Sequence, residues 1–128
     1  MMDRHLDATG KGEINYDYAN DILLFKVKDR DYLKSIDFDD FVVDIDKEGY
    51  ITGLRVFDAS KLFRLSKLSL KNIKQFDFNA KIEEKVITIQ FYFTSVMRNK
   101  PSIRHGQDLV REAADARINN SEVVCTVA

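Results

Sequence analysis

Phe41-Val42-Val43-Asp44-Ile45-Asp46-Lys47-Glu48-Gly49-Tyr50-Ile51-Thr52-Gly53-Leu54-Arg55-Val56-Phe57 is the stretch that decides the fold. Phe41, Val43 and Ile45 alternate with Val42, Asp44 and Asp46, the period of a strand with one buried face. Lys47-Glu48-Gly49 is turn chemistry, because glycine enters the left-handed region without a Cβ clash. Ile51 to Phe57 is rich in β-formers. The segment predicts an antiparallel hairpin, and its neighbours repeat the pattern.

Upstream, Ile14, Tyr16 and Tyr18 share one face, Ala19-Asn20-Asp21 turns, and Leu23, Phe25 and Val27 alternate with outward Lys26 and Lys28, a second hairpin. Residues 29–40 are polar and acidic and read as a loop with room for a helical turn. Downstream the period changes. Asp58 suits an N-cap, its carboxylate accepting from first-turn amides, and residues 59–72 read as an amphipathic helix. At ~100° per residue, Lys61, Arg64, Lys67, Lys71 and Lys74 fall within an arc of roughly 140°, opposite Leu62, Phe63, Leu65, Leu70 and Ile73. Ser66 and Ser69 offer a point at which this helix splits in two. Phe76, Phe78, Ala80 and Ile82, a turn at Glu83-Glu84, then Ile87, Ile89, Phe91 and Phe93 give a third hairpin. Asn99-Lys100-Pro101 ends it, since proline cannot donate to a ladder. Residues 108–117 read as a short second helix, with an irregular edge segment as the alternative. Residues 122–127 close the chain as a strand. The predicted class is α+β and β-rich, with successive antiparallel hairpins.

Length and composition bound the function. The chain has 128 residues, which implies one domain, here 13–128 behind a flexible lead-in at 1–12. With 45% hydrophobic residues and a net charge of -1, it is not disordered. A single cysteine, Cys125, excludes an internal disulfide framework and a Cys-based zinc site; in its β-branched run it reads as a small buried hydrophobe. No apolar run approaches the ~20 residues of a membrane helix, and the polar start lacks a signal-peptide core, so no membrane partner and a cytoplasmic location are expected. Charge is uneven: residues 1–60 hold 8 Lys/Arg against 14 Asp/Glu, whereas 61–128 hold 12 against 7. The simplest expectation is that the halves neutralise each other across a shared sheet.

Few residues suggest chemistry. Asp44, Asp46 and Glu48 before Gly49 resemble the opening of a calcium loop, but its twelfth position, which must supply a bidentate acid, is Arg55. Asp44 and Asp46, with Asp21, make a metal-dependent hydrolase one alternative; solvated strand-end carboxylates are the plainer one. Arg104-His105-Gly106 resembles a histidine-phosphatase motif without the second histidine and arginines that chemistry needs, and reads as a loop. The basic stripe from Lys61 to Lys74 could follow phosphates without reading sequence, which makes nucleic-acid association another alternative to a solvated face.

Tyr16-Asp17-x-x-x-Asp21-Ile22-Leu23, followed by Val42-Val43-Asp44-Ile45-Asp46-x-x-Gly49-x-Ile51-x-Gly53-Leu54-x-Val56-x-Asp58-Ala59-Ser60, resembles a widespread small prokaryotic family known only as a domain of unknown function, in a longer, archaeal-type form. The resemblance spans residues 13–61. It implies paired hairpins and a helix, no established catalytic residues and no cofactor; shorter relatives that partner small ribonuclease-type toxins suggest an antitoxin-like role. Folding alone supplies a reason for Tyr16, Asp21, Gly49, Gly53, Asp58 and Ser60, so the motif reads as structural. The expected function is a non-enzymatic protein-binding module that self-associates into a homo-oligomer.

Overall fold

The computed structural model describes residues 4–95, 103–114 and 116–127. Ten strands and two short helices follow in the order β1 (Arg4–Asp7), β2 (Gly12–Asp17), β3 (Ile22–Val27), β4 (Tyr32–Asp37), β5 (Phe41–Asp46), β6 (Ile51–Val56), α1 (Ala59–Phe63), α2 (Lys67–Lys71), β7 (Ile73–Glu83), β8 (Val86–Ser95), β9 (Ile103–Glu112) and β10 (Ser121–Val127). The strands form two five-stranded sheets, ordered β2-β3-β6-β5-β4 and β1-β10-β7-β8-β9. All pairings are antiparallel except β1 on β10. The α+β, β-rich class and the three hairpins β2–β3, β5–β6 and β7–β8 follow the alternation in the sequence.

That alternation builds one core. Leu23, Phe25 and Val27 of β3, Phe41, Val43 and Ile45 of β5, and Leu54 and Val56 of β6 are buried in the same cluster as Phe76, Phe78, Ala80, Ile82, Ile87, Ile89, Phe91 and Phe93 of the other sheet. Cross-strand pairing stacks the apolar residues in register, Phe76 opposite Phe93 and Phe78 opposite Phe91. Phe25 crosses the layer boundary: its ring lies 4.2 Å from Phe78 and 5.3 Å from Phe76. Gly49 takes φ +89° at the β5–β6 turn, as its place in the sequence predicts, and Gly53 faces Asp44 across the ladder.

Five segments differ from the sequence reading. Within the predicted lead-in, Arg4–Asp7 form β1 beside the C-terminal β10, and Ala8 continues it by donating its backbone N–H to the Val124 carbonyl; a polar strand at a sheet edge carries no apolar period to read. The predicted loop 29–40 contains β4, whose alternation is broken by a bulge between Tyr32 and Lys34 that throws Leu33 out of phase. The single helix over 59–72 is two. Arg64 ends α1 with φ +55°, and Ser66 caps α2 by accepting the Ser69 amide at 3.1 Å, so the serine competes as expected. The second helix predicted over 108–117 is absent: residues up to Glu112 belong to β9, the outer strand of its sheet, because β8 offers an unbroken ten-residue partner that overrides local helix preference. For the same reason Arg104-His105-Gly106 lies within β9 rather than a loop, with the Tyr92 ring covering Gly106 so closely that a Cβ there would come within 2.5 Å of it. The predicted break at Asn99-Lys100-Pro101 lies outside the described residues.

The charge asymmetry is not cancelled across the layers. Arg111–Asp40 and His5–Glu122 join the two halves, while Arg30–Asp46, Arg30–Glu48, Arg55–Asp44 and Arg104–Asp77 each lie within one. Apart from β1, the halves occupy different sheets, so the expected neutralisation is mostly local. Truncating the ring that bridges them, Phe25→Ala, removes contacts on both sheets, and urea unfolding is expected to show a loss of about 3–5 kcal/mol, against under ~1 kcal/mol for the exposed Leu68→Ala.

Candidate functional site

A buried ionisable cluster joins β2, the β2–β3 turn and α1. Asp21 occupies the turn in the left-handed region with φ 56°, a conformation its short polar side chain tolerates. Only 7% of it is exposed. Oδ1 accepts from Tyr16 Oη at 2.6 Å and from the Ser60 amide at 3.0 Å, and Oδ2 accepts from Ser60 Oγ at 2.6 Å. Its carbonyl takes the Ala59 amide at 3.0 Å. Asp21, 39 positions upstream, therefore caps α1. Asp58, predicted as the cap, sits in the left-handed region with no side-chain cap bond; its carbonyl, not its carboxylate, receives the first helical amides, Lys61 and Leu62.

Burial acts to raise the Asp21 pKa, but the hydrogen bonds from Ser60 and Tyr16, together with the Lys67 charge, outweigh it and hold the carboxyl below the usual range. Burial and the adjacent carboxylate push the Tyr16 phenol upward. Both oxygens of Asp21 accept from donors of the fold, so the arrangement binds α1 to the β2–β3 hairpin.

The strand acids meet arginines. Asp44 accepts from Arg55 Nη2 at 3.0 Å and from Ser35 Oγ at 2.6 Å. Asp46, 1% exposed, accepts from Arg30 Nε at 2.8 Å and from the Glu48 and Tyr50 amides at 2.9 and 3.0 Å, which closes the β5–β6 turn. Glu48 receives the other end of the same guanidinium at 2.7 Å. Asp44, Asp46 and Glu48 are thus spent on Arg55 and Arg30, and no metal-ligating cluster of three His, Cys, Asp or Glu occurs among the described residues. Gly53 has its own steric reason: a Cβ there would approach Asp44 Oδ2 to 2.7 Å. Around it the outer face of the first sheet forms a groove of about 490 Å³ lined by Glu13, Asn15, Leu24, Lys26, Asp44 and Arg55, among others, whose charges pair as Lys26–Glu13 and Arg55–Asp44.

The division of the helix distributes the basic stripe over three elements. Lys61 lies on α1, Arg64 forms its left-handed terminus, Lys67 and Lys71 lie on α2, and Lys74 belongs to β7. Lys67 and Lys71 both turn toward the Tyr18 ring, at 5.7 and 5.5 Å from its centroid. Cys125 is buried, its Sγ 3.2 Å from the Ala8 carbonyl and its pKa raised by burial. No helix among the described residues is long and apolar enough to cross a membrane.

Residues 13–60 match the family model described as "Protein of unknown function (DUF2283)", a span that runs from β2 to the start of α1 and holds Tyr16, Asp21 and Ser60. An uncharacterised protein of Methanocaldococcus jannaschii is 33% identical over 115 residues, 89% of this chain and 97% of that protein. A Methanosarcina mazei protein named "Putative hypoxanthine phosphoribosyltransferase" is 34% identical over 86 residues, 67% of this chain and 70% of its own length. No solved structure matches significantly.

The Asp21 cluster sets a pH window at each end. A carboxyl with a lowered folded pKa contributes stability above its unfolded value, near pH 4, that disappears as pH falls through the folded one. A phenol with a raised folded pKa contributes stability that is complete below its unfolded value, near pH 10, and fades as pH rises beyond it. Asp21→Asn is expected to flatten the acid limb of a stability–pH curve, and Tyr16→Phe the alkaline limb, with Tyr16→Phe costing about 2 kcal/mol at neutral pH. Chemical denaturation at stepped pH measures both.

Proposed function

This chain belongs to the same family as the uncharacterised Methanocaldococcus jannaschii protein, and from that premise we propose that it is a non-enzymatic binding module that associates with a second copy of itself along β9. Occupation of Asp44, Asp46 and Glu48 by arginines, and of Asp21 by three donors of the fold, favours binding over chemistry. The phosphoribosyltransferase name of the Methanosarcina mazei relative would call for a phosphate site at the head of a helix. Here α1 and α2 have five residues each, and the Ser60 amide is already bonded to Asp21.

The observation that carries the reading is the condition of the four sheet edges. Unpaired strand edges attract other strands unless they are short, bulged or charged inward. β1 has four residues. β4 is bulged and turns Lys34 toward the interior, where Nζ donates to the Arg117 carbonyl at 2.7 Å. β2 has six residues, flanked by α2 in the recess formed with Leu70, Lys71 and Ile73. β9 alone runs ten residues in unshifted register with its single partner. Ala113 donates to the Lys85 carbonyl at 2.8 Å, which sets the phase: the even-numbered residues of β9 point their backbone groups outward. That open row carries Arg104 toward one end and Asp108 and Glu112 toward the other, so an antiparallel copy sets basic against acidic ends. Val110 and Val86, 53% and 36% exposed, add apolar surface beside it. An antitoxin-like role would place a toxin strand on the same edge.

Light scattering coupled to size exclusion is expected to give twice 14.8 kDa for the wild type. Val110→Pro removes an outward amide without touching the β8 ladder and is expected to run at the monomer mass with an unchanged far-ultraviolet spectrum. A wild type that stays monomeric at high micromolar concentration overturns the reading.

A further inference from the structure

The sandwich is open at one end, where β1, β4, the β5–β6 turn and the segment leading into β10 meet around a recess of about 340 Å³. Four cations line it, Arg4, Lys34, Lys47 and Arg117, and its one acid is Glu48. Glu48 is already bonded to Arg30 at 2.7 Å, so the lining is strongly positive. We propose that this recess binds a small organic phosphate monoester.

The cations come from four separate places in the chain. Arg4 lies over the Tyr50 ring, 4.5 Å from its centroid, and extends past Gly49, where a Cβ would come within 3.2 Å of its Nη1. Lys34 spends one donor on the Arg117 carbonyl and keeps two. Lys47 has only a long, exposed contact of 3.8 Å with Asp31. Neither Arg4 nor Arg117 has a carboxylate partner among the described residues.

Two guanidinium forks with two ammonium groups suit the three oxygens and double charge of a phosphate monoester better than a single carboxylate. The lining also holds Ile45, 2% exposed, with Leu33 and Ile118, so the site offers apolar contact to a compact organic group behind the phosphate. A recess of this volume fits a small molecule rather than a polymer backbone, which needs an extended track.

Phenyl phosphate titrated into the ¹⁵N-labelled full chain tests the site. The amides of Gly49, Ile118 and Asn119 are expected to shift, with inorganic phosphate producing the same pattern more weakly. Arg4→Gln and Arg117→Gln are each expected to weaken phenyl phosphate on the order of tenfold. Arg117 lies outside every strand, so its variant keeps the test alive if Arg4→Gln disturbs β1. Shifts elsewhere, a response matched by sodium chloride of equal ionic strength, or Arg117→Gln binding as tightly as wild type would each overturn the proposal. None of these readouts depends on the oligomeric state.

Discussion

Phe25 is the residue through which two sheets become one core. Each sheet alone exposes an apolar row, and a layer of strands is stable only when that row is buried against another. Phe25 lies within 4.2 to 6.4 Å, centroid to centroid, of Phe76, Phe78 and Phe91, all from the opposite sheet. Rings at such distances in mixed stacked and edge-on geometry add to plain area burial. Phe63 of α1 extends the same cluster, 5.1 Å from Phe93. The helix thus covers an end of the aromatic layer rather than projecting a face of its own.

That position explains why a charge is buried beside it. A desolvated carboxylate is unfavourable unless donors replace its water, and Asp21 receives three. Those donors come from β2 and α1, so the compensation itself ties the helix to the hairpin. A five-residue helix has little stability of its own and depends on such an external cap. The basic face loses its continuity for the same reason: Ala59 and Leu70 face the core, both buried, and the link at Arg64–Ser66 turns so that two short helices, rather than one straight one, follow the surface.

How far the sequence could be read depends on where each strand finds its partner. Hairpins with a partner a turn away carry their evidence locally, and the phases of Leu23, Phe25 and Val27 or of Ile87, Ile89, Phe91 and Phe93 are legible. β9 sits beside β8, yet Leu109, Ala113 and Ala116 fit a helix spacing equally well; what decides is the ladder to β8, including Tyr92 over Gly106, which no window around residue 109 contains. β1 pairs across nearly the whole chain, Arg4 with Ser121, and is too polar to announce itself. In the candidate site, Asp21 and Ser60 were visible as members of one motif, but their contact was not, since a cap is normally sought next to its helix. Asp58, the local choice, was the wrong aspartate for that reason.

Edge protection connects the remaining features. Lys34 points inward from β4, and an inward-pointing cation at a strand edge discourages a foreign strand from pairing there. The same inward direction delivers its ammonium group to the open end of the sandwich, beside Arg117. One side chain therefore closes an edge and charges a recess. β1, which brings Arg4 to that recess, is the first strand of its sheet and β9 the last. A strand added at β9 lengthens the sheet away from the recess, so both surfaces can be occupied at once. The ion pairs of this molecule are formed largely within each sheet, and Arg4 and Arg117, which have no carboxylate partner among the described residues, are left to line the mouth of the core.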